Sequence, residues 1–434
     1  MEVSIAIFII TCISMVLSVL FLPKIKIKKF SVDTYWVATL LGAIVMLIVS
    51  KTDIAFITAN LFKDSSINPI KILILFISTT ILSVFLDELG FFGYLANLTL
   101  KKAKASQTKL FVYLYIAVSI LTVFTSNDVI ILSFTPFICY FCKNAKINPM
   151  PYLISEFVAA NTLSMMLIIG NPTNIYLATS YGFDFLHYFK VMLLPTLFSG
   201  ITAFVVLYLL FRKKLKEEIN GEADYILLSD KLSLIIGIIH LSVCTILLAI
   251  SSYINIEMYI VSLICVISLF TFSLIINICR GHKPYIIKNC VLRAPFQLIP
   301  FVLSMFIMII ILEEKGITSL IAILIGTDYS VFKYGITSFL SANLINNIPM
   351  SALYSSIIST VDTSVVKGAV YASIIGSNLG AFLTPIGALA GIMWNNILHN
   401  HDVKYGYLDF IKTGVIVSVP TLIVALIILT LVIW

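Results

Sequence analysis

The fold this sequence predicts is an all-α, polytopic membrane protein. It is built from two inverted-topology repeats, each with a re-entrant hairpin and a broken transmembrane helix. Three observations lead there. Of 434 residues, 60% are hydrophobic and 11% charged, with a mean hydropathy of +1.07; soluble domains carry roughly 25% charged residues. Apolar runs of about 20 residues, the length that crosses hydrocarbon, recur from Val3 to Trp434. Polar, turn-forming clusters then interrupt these runs in matched pairs. Ser126-Asn127-Asp128 is followed by Gly170-Asn171-Pro172-Thr173-Asn174, and Asn343 to Pro349 by Thr384-Pro385-Ile386-Gly387. Unpaired backbone is tolerated at membrane depth only where protein or a water-filled cavity re-satisfies it, and paired breaks in two halves of a chain mark a binding site.

The elements follow in order. The first run, Val3 to Leu22, has no cationic start and no small-residue cleavage site, so it reads as a membrane helix rather than a signal peptide. A single shift then brings Pro69 onto Pro295, Asp87-Glu88 onto Glu313-Glu314, Gly90 onto Gly316 and Ala96 onto Ala322. Slightly shorter shifts pair Asn127 with Asn346 and Pro172 with Pro385. The parts keep their order, which is the mark of duplication.

Loop cations orient the halves. Lysines crowd 24–29, 101–109 and 143–146, and 212–231 and 280–293 are basic too, whereas 51–71, 182–190, 253–257, 327–334 and 361–367 are sparse in them. The segment from Leu110 to Cys142 has cations at both ends, so it enters and leaves on the cytoplasmic face. The expected plan has about ten spanning elements, with both termini outside the cell membrane. Residues 1–211 form the first repeat, with a cytoplasmic-side hairpin at about 110–142 and a broken helix at about 150–181. Residues 212–232 are a cytoplasmic linker. Residues 233–434 form the second repeat, with an outer-side hairpin at about 331–360 and a broken helix at about 364–398.

Composition and motifs also exclude function classes. The net charge of +7 lies in short loops and is topological rather than a nucleic-acid footprint. The seven cysteines show neither a disulfide framework nor zinc spacing, although Cys139 and Cys142, i and i+3 on one helix, are candidates for a soft-metalloid contact. The histidines (His187, His240, His282, His399 and His401) stand singly or at loop edges. No metalloprotease, nucleophile-elbow or Walker signature is present, so neither enzyme chemistry nor a cofactor is expected.

The candidate site is the set of four breaks: Ser126, Asn127, Asp128, Asn171, Thr173, Asn174, Asn343, Asn346, Asn347, Ser377, Asn378 and Thr384. A half-helix starting mid-membrane turns N–H groups and a partial positive charge toward the cavity. Asn127 or Asp128 is expected to cap the returning arm of the first hairpin, and Asn347 with Pro349 that of the second. Asn171 and Thr384 precede prolines that force the breaks. Freed carbonyls suit a cation, and the amides suit an oxyanion or a neutral polyol. No Lys or Arg lies in any break, which argues against a highly charged anion held by ion pairs. Asp128 is the one carboxylate expected near the midplane and a candidate proton carrier. Asp87-Glu88 and Glu313-Glu314, late in their helices, read as structural or gating acids.

At these motifs the chain resembles the ion transporter superfamily, and within it the arsenical pump membrane proteins (arsenite/antimonite permeases). The resembling pieces are Leu86 to Phe92, Ser126-Asn127-Asp128 through Thr135-Pro136, Ile169 to Asn174, Asn346 to Pro349, and Gly376-Ser377-Asn378-Leu379-Gly380 running into Leu383 to Gly387. The resemblance implies an inverted-repeat carrier exporting trivalent arsenic or antimony hydroxides in exchange for protons. Two features depart from that pattern. Ala381-Phe382 replace the more usual Pro and polar residue, and the Gly-Asn-Pro-Thr-Asn break is similar to the wider superfamily, including sodium-coupled carboxylate carriers. A sodium-coupled di- or tricarboxylate symporter and a sodium/proton antiporter are therefore the alternative readings. The expected partners are a small inorganic or small anionic solute, a proton or sodium ion, and membrane lipid. A homodimer and a soluble ATPase are left open, and no nucleic acid is expected.

Overall fold

A computed structural model describes residues 2–22, 24–27, 30–62, 68–103, 106–216, 230–251, 253–281 and 283–433. Most of the expected linker 212–232 lies outside them, as do Lys28, Lys29, Lys63, Lys104 and His282. The first half runs α1 (Glu2–Phe21), β1 (Lys24–Ile27), β2 (Phe30–Asp33), α2 (Thr34–Ser50), α3 (Ile54–Leu61), α4 (Pro69–Glu88), α5 (Phe91–Ala103), α6 (Gln107–Phe124), α7 (Asn127–Asn144), α8 (Met150–Leu163), α9 (Pro172–Ser180) and α10 (Phe185–Phe211). The second runs α11 (Lys231–Ile250), α12 (Met258–Cys279), α13 (Tyr285–Arg293), α14 (Leu298–Glu314), α15 (Ile317–Ile325), α16 (Ser330–Ile345), α17 (Asn347–Ile358), α18 (Thr363–Gly380), α19 (Leu389–Asn400) and α20 (Tyr407–Ile433).

The duplication is visible in this order: α1 to α10 recur as α11 to α20, and their packing recurs with them. Helix α1 lies on α2 as α11 lies on α12, α6 on α8 as α16 on α18, and α10 on α8 as α20 on α18. Other contacts are exchanged between halves: α2 packs on α14 and α12 on α4, while α7 packs on α19 and α17 on α9. Even helix-interior prolines correspond, Pro195 in α10 with Pro420 in α20.

Among the described residues, seven helical stretches are long and apolar enough to cross a membrane, with α1 and α2 as shorter apolar helices. The arms of the broken helices fall short individually. Helix α8 has 14 residues and α9 has 9, so at 1.5 Å per residue neither reaches across a hydrocarbon core of about 30 Å. Helix α4 is central, with 78% of its apolar window buried, and α11 is peripheral, at 28%. Accordingly α11 and α12 expose Ile235, Ile246, Ile264 and Ile267, the pattern of a lipid-facing surface. Close packing at the centre uses small residues. A methyl group at Gly376 in α18 would collide with the Gly335 carbonyl and the Ser338 hydroxyl of α16.

One element was not expected. The basic segment beginning at Lys24 forms an antiparallel ribbon, with Lys24 opposite Asp33 and Ile27 opposite Phe30. Its Lys-Ile-Lys-Ile alternation is the period-2 signature of a strand.

Candidate functional site

Five side chains lock the first break. After α8, two short 3-10 turns (Ser164–Met166 and Ile168–Gly170) lead to extended Asn171 and to Pro172, which opens α9. The Asn171 side chain caps α9, accepting from Thr173 N at 3.1 Å and Thr173 Oγ1 at 3.0 Å. Asn174 Nδ2 donates to the carbonyls of Ser164 and Leu167 at 2.8 and 3.1 Å. The carbonyls that the sequence offered to a cation are therefore partly taken by a neighbouring amide. From the other half, Asn378 Oδ1 accepts from Ser164 Oγ and Asn171 Nδ2, both at 3.0 Å. Its Nδ2 donates to Asn174 Oδ1 at 2.7 Å and to Ile374 O at 2.8 Å. An amide has two donor hydrogens and two acceptor lone pairs, so every position of Asn378 has a neighbour, although Ser164 shares its one hydrogen with Asn161 O at 2.9 Å. Asn171, Thr173, Asn174 and Asn378 thus form a joint between the repeats, completed by Ser164, which sequence reasoning missed.

The second break is tied to its own hairpin. Thr384 Oγ1 donates to Asn343 Oδ1 at 2.7 Å, Asn346 Nδ2 to Ile386 O at 3.0 Å, and the Asn347 backbone N–H to Gly387 O at 3.0 Å. Capping differs from expectation at both tips. Ser126 is the N-cap residue of α7, and its side chain makes no capping bond. At α17 the cap is Asn346, which accepts from Ile348 N at 3.3 Å. Asn346 alone links α16 to α17, with φ 71° and ψ 153°, outside the left-handed helical region.

The tips are left with unused polar valences. Asn127 Nδ2 donates to Asn161 Oδ1 at 3.1 Å, yet its own Oδ1 is buried without a partner. The same holds for Asn347 Oδ1, Ser126 Oγ and Ser377 Oγ. Asp128, half-buried one residue further on, makes no hydrogen bond or ion pair among the described residues. Cys139 and Cys142 are buried within the bundle. The sequence-predicted residues therefore divide into a bonded joint at the first break, a bonded second break, and open groups on the tips.

Asp128 is not the only deep carboxylate. Glu156 of α8 is fully buried, flanked by Ser155 and Phe157, and Thr135 Oγ1 lies 3.2 Å from both of its oxygens. The terminal acid pairs have assigned neighbours. Arg293 Nη2 donates to Asp87 Oδ2 at 2.6 Å and Nη1 to Glu88 Oε1, joined by Asn289 Nδ2 to Glu88 Oε2 at 2.8 Å. Glu314 accepts from Thr52 at 2.7 Å and Glu313 from Ser356 at 3.0 Å.

Small voids connect the breaks. A cavity of about 30 Å³ is lined by Pro172 and Tyr176 of the first break and by Ile348 and Ser351 of the second tip. Another of about 10 Å³ touches Ser126 and Ile169. The larger has room for a water, and both are far below the roughly 300 Å³ of a ligand pocket, so these two voids are closed to solute. A larger cavity of about 390 Å³ opens elsewhere, among Lys71, Thr179, Asp184, Glu257 and Tyr259. Among the described residues no cluster of three or more His, Cys, Asp or Glu side chains could hold a metal.

Residues 34–376 match the sequence profile of the CitMHS family, described as citrate transporter. The chain belongs to the CitMHS family. The chain is also similar to proteins named arsenical pump membrane protein. The one from Escherichia coli is 29% identical over 370 residues, covering 81% of this chain and 84% of the relative. The one from Yersinia enterocolitica is 28% identical over 375 residues with the same coverage. The motif resemblance to arsenical pumps thus holds along most of the chain. In structure, the Alcanivorax borkumensis YdaH transporter, described as having an unusual topology, superposes with a TM-score of 0.54 at 13% identity, covering 99% of this chain and 98% of that one. This CitMHS-family protein is a multi-pass, helical membrane transporter.

Proposed function

We propose that this transporter exports trivalent arsenic or antimony hydroxides by alternating access, with Asp128 carrying a coupling proton. The observation that carries the reading is the set of open, buried valences at the tips, Asn127 Oδ1, Asn347 Oδ1 and Ser126 Oγ, and on α18, Ser377 Oγ, with no Lys or Arg in the breaks. Amide oxygens accept hydrogen bonds and cannot donate them. A neutral trihydroxide offers O–H donors that match them. Asp128 lies beside Asn127 at the start of α7, where the helix dipole favours a carboxylate, and alternating exposure of that carboxyl to two compartments would load and unload a proton.

In this proposal the first repeat spans 1–211 and the second 233–434. The α6–α7 pair enters from the cytoplasm, α16–α17 enters from outside, and both termini lie outside the cell membrane. The basic ends around α6–α7 support that orientation.

A second reading, a sodium-coupled di- or tricarboxylate symporter, is favoured by the family description. Carboxylates need donors or cations; the open Oδ1 atoms supply neither, and among these open groups only the Ser126 and Ser377 hydroxyls can donate. The deciding experiment measures arsenite tolerance of a sensitive host, together with flux in everted vesicles under imposed proton or sodium gradients. Proton-driven arsenite accumulation is expected. Sodium-driven citrate uptake without arsenite flux would replace the arsenical reading by the carboxylate one.

A further inference from the structure

Glu156 has no role in the reading above, and its surroundings are unusual for a carboxylate. The side chain is 0% exposed. Thr135 Oγ1 on α7 is equidistant from its two oxygens at 3.2 Å, but a hydroxyl has one hydrogen to give. Trp394 of α19 stands next to it, its indole N–H directed at the carboxyl group, and packs on Phe157 at 5.2 Å between ring centres; among the described residues the buried Nε1 falls outside close hydrogen-bond geometry. The cluster therefore draws α7 and α8 from the first repeat and α19 from the second.

Charge balance limits what this group can be. Removing an ionised carboxylate from water costs several kcal/mol unless a cation and further hydrogen bonds compensate. Helix α8 packs against α6, α7, α10 and α18, and no Lys, Arg or His on any of them forms an ion pair with Glu156 among the described residues. On α7 the nearby titratable groups are Cys139, one turn beyond Thr135, and Asp128, two turns before it. Neither brings positive charge. The absence of a compensating cation favours a neutral carboxylic acid here, with one of its oxygens accepting from Thr135.

We propose that Glu156 is a proton-binding site of the transport cycle, separate from Asp128. It holds a proton in this closed arrangement. When α19 shifts against α8 and water reaches the pocket, the proton passes to water on one face of the membrane and the carboxylate is left hydrated. Recruitment of Trp394 Nε1 by the ionised form makes the position of α19 sensitive to whether the proton is bound.

The test has two readouts, and only the second rests on the export reading. In purified, lipid-reconstituted protein, infrared spectroscopy should show the carbonyl stretch of a buried, protonated carboxylic acid. That band should survive in Asp128→Asn and vanish in Glu156→Gln. Thr135→Val keeps the acid and removes its hydrogen-bond donor, so the band should move; this guards against a Gln variant that fails to fold. In vesicles, Glu156→Gln should retain downhill arsenite exchange while losing at least about tenfold of its response to a proton gradient, equivalent to about 1.4 kcal/mol. Survival of the band in Glu156→Gln, no movement in Thr135→Val, or its removal by sodium at constant pH would overturn the proposal. A band assigned to Glu156 in a protein with no arsenite flux would uphold the proton site and refute the arsenical substrate.

Discussion

Asn378 Nδ2 donates to Asn174 Oδ1 at 2.7 Å, joining the end of α18 in the second repeat to the broken helix of the first. With Asn171 and Ser164 filling its remaining acceptor positions, Asn378 acts as a hinge pin between the halves rather than as an open ligand. Asn378→Ala would orphan two buried polar groups, Asn171 Nδ2 and Asn174 Oδ1, at about 1–3 kcal/mol each when no water replaces them, while Ser164 Oγ keeps Asn161 O at 2.9 Å. The expected result is a loss of several kcal/mol, seen as a large drop in thermal midpoint in detergent even with no solute present. An unchanged midpoint would return Asn378 to the list of solute ligands.

The tips behave in the opposite way. Asn347 Oδ1 bonds to nothing in this closed form, so Asn347→Ala removes little that stabilises the fold. If its amide holds the solute, the lost hydrogen bond should weaken affinity by on the order of 10- to 100-fold with the thermal midpoint nearly constant. Asn127→Ala should abolish export as well, with a larger stability change because the Asn161 amide loses its donor. Arsenite tolerance and membrane abundance measured together separate the two effects. Wild-type tolerance in both variants would remove the tips from the site.

Much of this was legible in the sequence because duplication repeats local signals. The proline, acid-pair and glycine marks of α4 and α14, and the paired interruptions, are short-range features with a backbone cause. What stayed hidden is tertiary. Ser164 sits in an apolar run, and nothing local says that its hydroxyl reaches Asn378. Glu156 is placed by Thr135 on α7 and Trp394 on α19, far apart in the chain. The caps were misplaced by one residue because both Asn346 and Asn347 are good capping residues, and the one-residue linkage that chooses between them is a property of packing. The ribbon at Lys24–Asp33 carried a usable signal, its strict alternation, outweighed by its charge.

Pseudo-symmetric contacts brace the exchange between halves, and they differ in chemistry. Near the start of α4, Lys71 Nζ lies 2.8 Å from Glu257 Oε2, the residue that precedes α12. The shift that brings Pro69 onto Pro295 puts Gln297 in the place of Lys71. Gln297 Oε1 accepts from the backbone N–H of Asp33, which precedes α2, and from Trp36 Nε1, both at 3.1 Å. One latch is ionic and borders the 390 Å³ cavity; its mate is neutral. An exposed ion pair is worth up to about 1 kcal/mol, so Lys71→Gln or Glu257→Gln should speed opening at that face by up to roughly fivefold. Thiol labelling of Thr179→Cys, in the cavity wall, measures the rate. Gln297→Lys, which sets an ammonium near Asp33, should slow opening at the other latch. Labelling rates indifferent to all three changes would show that these contacts do not gate.

The last expectation concerns acid. Asp230 caps α11, accepting from Ser233 N at 3.1 Å, Ser233 Oγ at 2.6 Å and Arg280 Nη1 at 2.9 Å. Partial burial alone would lift its pKa, but the bonds from Ser233 and then Arg280 outweigh that and hold it below the ordinary aspartate value. The folded pKa is thus lower than the unfolded one. The linked stabilisation is fully present above the unfolded value of about 3.9 and fades as pH falls through the folded value. Asp230→Ala removes a helix cap, for which about 1 kcal/mol is typical, and salt should screen the Arg280 share because that pair is partly exposed. Other carboxylates titrate in the same range, so the informative quantity is the difference in thermal midpoint between wild type and variant as a function of pH. That difference should be constant from neutral pH down to about 5 and shrink below about 4. A constant difference down to the lowest pH would mean that Asp230 stays ionised throughout or that its charge contributes nothing to the fold.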